Sequence, residues 1–374
     1  DLHSFPTRRS SDLWQRQWVS APGGACDARL GHGVILGEAG SLFRAAVGRP
    51  RRAALVTATT DEELVELTRR ELSSEGFEVA GITLSETGEM RSPSRAMQLV
   101  DSLAQAGITA DDLVVAVGDC DLLSLLSAVC GSWCAGTPLA GVATDLVCAI
   151  EAVPTPRGLD AAGHAQMLEV RPWCHYLLVD FDHIELALRD ERVREALALM
   201  VVTAMADSEQ SFSRLWDRSL DIVEGDVLAL EEQVVDTLKT RGRLVSSTAL
   251  AVRQSLHYAS ELPRAISQLF DAAGSTLLAE GMRFSARIAA GEGKLPVDDV
   301  FTQDELLDRF GLAQVEADLD ADKLLTAFKE ECFVRSRRLQ MALPQSLGCV
   351  RLSNVTDTLL GEHLEAFCAS RAIS

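Results

Sequence analysis

The groups in this chain best able to do chemistry are seven histidines, nine cysteines, and carboxylates and arginines that fall near the ends of predicted strands. A divalent metal needs converging lone-pair donors. The histidines do not present them at a ligand spacing: His175 and His183 are eight apart, and no His-x-x-x-His pair occurs. His164, His175 and His257 are the set that could still converge, while single satisfied or exposed histidines are the plainer expectation. Cys130 and Cys134 are four apart, so they share a helix face and read as core thiols. Asp298-Asp299 and Glu330-Glu331 read as solvated faces, and Arg335, Arg337 and Arg338 as a basic cluster at a strand edge or loop. Gly118-Asp119-Cys120 follows an apolar run. A glycine there would let a phosphate approach backbone N–H groups at a helix start, and an ordinary turn is the competing reading.

These residues need elements to hold them. Asp112–Val117 is an apolar run suited to a parallel strand, as are Ala53–Thr60 and Leu139–Ala143, and Gly33–Leu36 is a short strand candidate. Phe77–Leu84 alternates as a further strand. Asp61 can cap a helix carrying Leu64, Leu67 and Leu72 inward. Ser94–Ala106 is amphipathic with Met97, Val100, Leu103 and Ala104 inward, and Leu122–Cys134 reads as a buried helix. Strand–helix alternation of this kind predicts a doubly wound, Rossmann-like α/β lobe over 29–183. From 184 to 374 the pattern turns helical, with long segments at Glu185–Met205, Ser211–Thr240, Ser247–Phe270 and Ser275–Ala290. Residues 1–13 are polar, patternless and basic, and are expected to be a non-native leader, which leaves the true start unknown.

Composition narrows the function classes. The chain has 374 residues, 47% hydrophobic and 24% charged, within the globular range. Its 35 basic and 55 acidic side chains give a formal charge of −20, which argues against a nucleic-acid groove and against an anionic membrane surface. No apolar stretch approaches bilayer length. Nine cysteines without scaffold spacing fit a reduced cytoplasm.

The order of segments adds a resemblance. Gly88-Glu89 before a helix, the Asp112–Val117 strand, Trp133-Cys-Ala-Gly-Thr-Pro138, Ala143–Glu151, Arg171-Pro172, Val179-Asp180, Leu256–Ile266, Leu278–Met282 and Arg338–Pro344 follow one another in a way that resembles 3-dehydroquinate synthase. That family is the sugar-phosphate cyclase branch, related in fold to iron-dependent alcohol and glycerol dehydrogenases. The resemblance runs from about Gly33 to Val350 and is carried by segment order and spacing. It implies an N-terminal NAD-binding lobe, a helical C-terminal lobe, a catalytic divalent metal, usually zinc, and a homodimer. In the family, NAD transiently oxidises a substrate carbinol, the metal polarises the carbonyl, phosphate is eliminated and the ring closes.

Carried over by position, the resemblance puts the three metal ligands at Ala198, Ser260 and Gly274, none of which is a metal donor of the family's kind. Among substrate contacts, one arginine falls at Ala135 and a lysine at Arg157. Arg253 is retained, an asparagine falls at His257, and the second histidine of the metal-binding stretch falls at Arg264. On the cofactor side Glu89 is retained, its companion lysine is Ser92, and the triple-glycine turn survives as Gly118 followed by Asp119-Cys120. The aspartate of the next helix is Ser124, and Thr144 remains beside Asp145. Two expectations follow. One is a catalytically degenerate relative, a pseudoenzyme with a structural, regulatory or partner-binding role. The other is a working 3-dehydroquinate synthase or divergent sugar-phosphate cyclase of the shikimate pathway, a phosphate-eliminating lyase using NAD and zinc.

Overall fold

Buried apolar runs alternate with amphipathic segments through the first half of the chain, and the computed structural model gathers the runs into one seven-stranded sheet. It describes residues 14–58, 61–85 and 89–373. The expected leader, Thr59-Thr60 and Gly88 lie outside the described residues. The chain divides into two units, Asp1–Glu185 and Leu186–Ser374.

In the first unit the elements are β1 (Trp14–Ala21), β2 (Gly24–Gly31), α1 (Gly40–Val47), β3 (Arg52–Thr57), α2 (Glu62–Ser74), β4 (Glu78–Thr83) and α3 (Pro93–Gln105). They continue as β5 (Leu113–Gly118), α4 (Cys120–Cys130), β6 (Leu139–Ala143), α5 (Leu146–Glu151), β7 (Leu159–Ala161), β8 (His164–Leu168) and β9 (Cys174–Asp180). The sheet order is β1-β2-β9-β6-β5-β3-β4, parallel throughout except for the β1–β2 hairpin. Every residue of β5 and β6 is buried, as a parallel strand covered on both faces requires. The direction of winding reverses between β3 and β5, so their carboxyl ends form the crevice where a doubly wound sheet receives ligands.

Several local expectations are corrected. Gly33–Leu36 is not a strand. Gly33 takes φ +65°, and Ile35–Ala39 winds a wide helical turn into α1. Its free amides are claimed by the end of β9: Asp180 accepts from Gly33 N at 3.1 Å and from Ile35 N at 2.9 Å. The sheet also begins before residue 29, because the half-polar Trp-Gln-Arg-Gln-Trp strand gives little apolar signal. In α3 the buried stripe is Leu99 and Leu103, which leaves Met97 exposed. Only Cys130 of the cysteine pair is a core thiol. Cys134 is exposed at φ +51°, because α4 ends at Cys130 and a short turn follows.

The second unit holds α6 (Glu191–Asp207), α7 (Glu209–Val223), α8 (Val227–Val245), α9 (Leu250–Arg253), α10 (Glu261–Ser267), α11 (Gly274–Gly291), α12 (Val297–Arg309) and α13 (Ala321–Arg335). The hairpin β10 (Gln340–Ser346) and β11 (Cys349–Asn354) precedes α14 (Asp357–Arg371). Its core gathers Leu262, Ile266, Phe284, Phe328, Met341 and Leu360, among others, from α10, α11, α13, the hairpin and α14. The expected Ser211–Thr240 helix breaks at Gly225, which takes φ +92°, and Asp226 then caps α8. Ser247–Phe270 is likewise broken, into α9, a short 3₁₀ turn and α10. At the hairpin tip Gly348 takes φ +77°, and a Cβ there would collide with the backbone of Ser208 and Glu209. Among the described residues no helix is long and apolar enough to cross a membrane.

Candidate functional site

In the first unit the expected cofactor positions lie at the carboxyl ends of β5 and β6, beside that crevice. Gly118 and Ala143 are register partners, and Thr144 N donates to Gly118 O at 3.2 Å, so Gly118, Asp119 and Thr144 are brought together. The amide end of α4, where a dinucleotide phosphate would be expected, is occupied from within. Asp119 accepts from Leu122 N at 2.9 Å, and Asp145 does the same for α5 through Cys148 N at 2.7 Å. A carboxylate at that cap takes up one free donor and places negative charge where an anion would sit. The Leu122 side chain covers this turn closely: a Cβ on Gly118 would lie 2.5 Å from Leu122 Cδ2. These residues do not fit the pyrophosphate of NAD. Glu89 is exposed in the segment before α3, and Ser92 is that helix's N-cap, accepting from Arg95 N at 3.2 Å.

Arg157 is committed to its own fold. Its Nε donates to Glu151 at 2.8 Å, one terminal nitrogen lies 3.2 Å from Asp121, and its backbone N–H donates to Ser124 Oγ at 2.8 Å. Arg91 joins the same network, 3.2 Å from Asp121 and 3.1 Å from Asp160. Burial pushes the nearby Cys120 thiol well above its ordinary range, with Arg157 opposing, so it is no nucleophile at neutral pH. Arg91, Asp121 and Asp160 do not stand out in the sequence. They lie far apart along the chain, and no local spacing marks them.

The second unit carries the positions expected to hold the metal. Ala198 is buried in α6, Ser260 precedes α10, and Gly274 opens α11. Instead of a ligand set, α6 presents a different group: the Glu195 carboxylate lies where a Cβ on Gly274 would be 3.1 Å from its Cδ. Arg192 donates to Glu195 at 2.9 Å. One turn earlier, Glu191 accepts from Ser275 N at 2.9 Å and from Ser275 Oγ at 3.0 Å. Alanine and glycine offer no donor, and a lone serine hydroxyl is a poor one, so the three positions do not fit a divalent ion. Among the described residues no three His, Cys, Asp or Glu side chains converge to hold one. Sequence reasoning misses Glu195, although it sits one turn before Ala198 on the same helix face.

Around α10 lies a polar cluster. Burial pushes the Glu261 carboxyl up to about 7, with the Arg264 guanidinium opposing. Its Oε2 and the neighbouring Ser260 Oγ are both buried without a hydrogen-bond partner. Burial likewise lowers Arg264, with Glu261 and Glu331 counteracting. The protein packed around His257, then the charge of Arg264, holds its imidazole below the ordinary value although the side chain reaches solvent. Glu331, expected on a solvated face, is instead buried, because Arg335 and Gln268 Nε2 (2.5 Å) pair with it. Arg335 itself ends α13 rather than sitting in a loop. Arg253 is exposed and donates to the Ser247 and Thr248 carbonyls at 2.7 and 3.3 Å. His164 is half-buried in β8 and His175 exposed in β9, both in the first unit, whereas His257 belongs to the second.

No family model matches the chain. In sequence it resembles the 3-dehydroquinate synthase of Pelobacter propionicus, with 26% identity over 330 residues, 84% of this chain and 89% of that protein. In structure it is similar to a 2-deoxy-scyllo-inosose synthase complexed with carbaglucose-6-phosphate, NAD+ and Co2+. The TM-score is 0.81 at 14% identity, over 94% of this chain and 99% of that one. An iron-containing alcohol dehydrogenase aligns with TM-score 0.64 at 13% identity, covering 96% and 99%. The fold is that of the sugar-phosphate cyclases and iron-dependent alcohol dehydrogenases, and the sequence resemblance is to the 3-dehydroquinate synthases.

Proposed function

We propose that the chain is a divergent member of the 3-dehydroquinate synthase family that has lost metal- and NAD-dependent cyclisation and serves as a structural or regulatory protein. The observation that carries this reading is the trio Ala198, Ser260 and Gly274, with the Glu195 carboxylate against Gly274. Cyclisation in the family needs a Lewis acid on the transient carbonyl, and this donor set does not hold one. It also needs a dinucleotide at the crevice, where Asp119 occupies the α4 amide end. Finally it needs cations free for phosphate and carboxylate, and Arg157 is engaged by Glu151 and Asp121. Nine free cysteines suit a reduced cytoplasm, and a homodimer is the assembly that the family suggests.

Purified protein is to be assayed for bound zinc, for thermal stabilisation by millimolar NAD, and for phosphate release from the shikimate-pathway heptulosonate phosphate. The expected outcome is no stoichiometric metal, no shift and no release, since any ligand that binds the native state raises its midpoint by mass action. Stoichiometric zinc with phosphate release would establish a working cyclase instead.

A further inference from the structure

We infer that Glu191 and Glu195 take over, from within α6, the tie to the start of α11 that the family's arrangement would route through a metal ion. This deepens the reading above and rests on it. The 18-residue helix α11 starts at Gly274 behind Ala273, which supplies no side-chain cap. Its first amides therefore need acceptors from elsewhere, and its positive end favours anions. Both requirements are met by α6, which packs against it. Glu191 takes the Ser275 N–H and hydroxyl with its two oxygens, at 2.9 and 3.0 Å. Glu195, one turn on, has a side chain 10% exposed and brings its carboxylate to Gly274, where the missing side chain leaves it room. Arg192 neutralises Glu195 from the solvent side at 2.9 Å, being itself 43% exposed. An anion buried at a helix amide end with an arginine partner is compensated, so the arrangement persists without a cation. At the start of α11, then, the residue expected to be a donor is a glycine, and two carboxylates of α6 lie against the helix end.

The test is thermal unfolding of the full chain with E191A, E195A, S275A and their combinations, using the exposed E365Q on α14 as control. E191A and E195A are each expected to lower the midpoint by about 2–6 °C, the scale of losing a helix cap in a domain of this size. S275A should have its own effect in the wild-type background and almost none once Glu191 is gone, because both act through one contact. Neither EDTA nor equimolar zinc should move the wild-type midpoint. Midpoints of E191A and E195A equal to that of E365Q, or additive losses for S275A and E191A, would overturn the inference. If either glutamate variant fails to fold, E191Q, which keeps an acceptor and drops the charge, supports it by a smaller loss and overturns it by none. Zinc stabilisation of the wild type would instead defeat the reading of lost metal chemistry, a result separable from the glutamate series.

Discussion

Glu261 is a carboxyl for which ionisation is costly: one oxygen is buried without a partner, and Arg264 offsets the loss of water only in part. Its folded-state value near 7 lies above the ordinary 4.5, so the native chain binds this proton more tightly than the unfolded one. The stabilisation is therefore complete below the unfolded value and is lost as pH rises through 7. Glu261→Gln keeps the shape and abolishes the titration. It is expected to gain about 1–3 kcal/mol over the wild type at pH 8 and to lose most of that advantage at pH 5. Urea unfolding at the two pH values measures it, and equal differences at both would count against the assignment. Nothing in the sequence marks Glu261. Its oddity comes from burial beside Ser260 and under the Ala342 amide, and such burial is a tertiary outcome.

At the level of elements, α11 illustrates what pattern reading reaches and where it stops. Helical periodicity places it correctly to within a residue at either end. What periodicity does not give is the closeness of its approach to the Ala259–Ser260 turn. A Cβ on Gly281 would collide with Ala259 O and lie 3.0 Å from Pro263 Cδ, so the glycine sets the separation of α11 from that turn. Gly281→Ala is expected to cost about 1–3 kcal/mol by overpacking, read from denaturant midpoints at constant slope. The misread elements share one cause. Gly33–Leu36, Met97 and Ser247–Phe270 are short or mixed segments whose state is settled by distant partners such as Asp180, or by which residues a neighbouring layer covers. The buried strands β5 and β6 are legible because their composition alone demands two covered faces.

Across the whole molecule, electrostatics is governed by a formal charge of −20. Self-repulsion of that size opposes compaction and is screened by salt. Raising sodium chloride from about 0.02 to 0.3 M shortens the Debye length severalfold, and the thermal midpoint is expected to rise. A fall would mean that exposed ion pairs such as Arg287–Asp304 outweigh the repulsion. Of the candidate site, segment order supplies the positions at which the resemblance leads one to expect metal donors, Ala198, Ser260 and Gly274. The carboxylates set against the start of α11 are not legible, since Glu191 and Glu195 look in sequence like the polar first turn of any helix. The hairpin tip at Gly348 carries a practical lesson of the same kind. Tight β-turns are the customary place to graft an epitope or a fluorescent label, but this one is seated on the joint between α6 and α7. A graft there would wedge against the chain at Ser208, so reporters belong elsewhere.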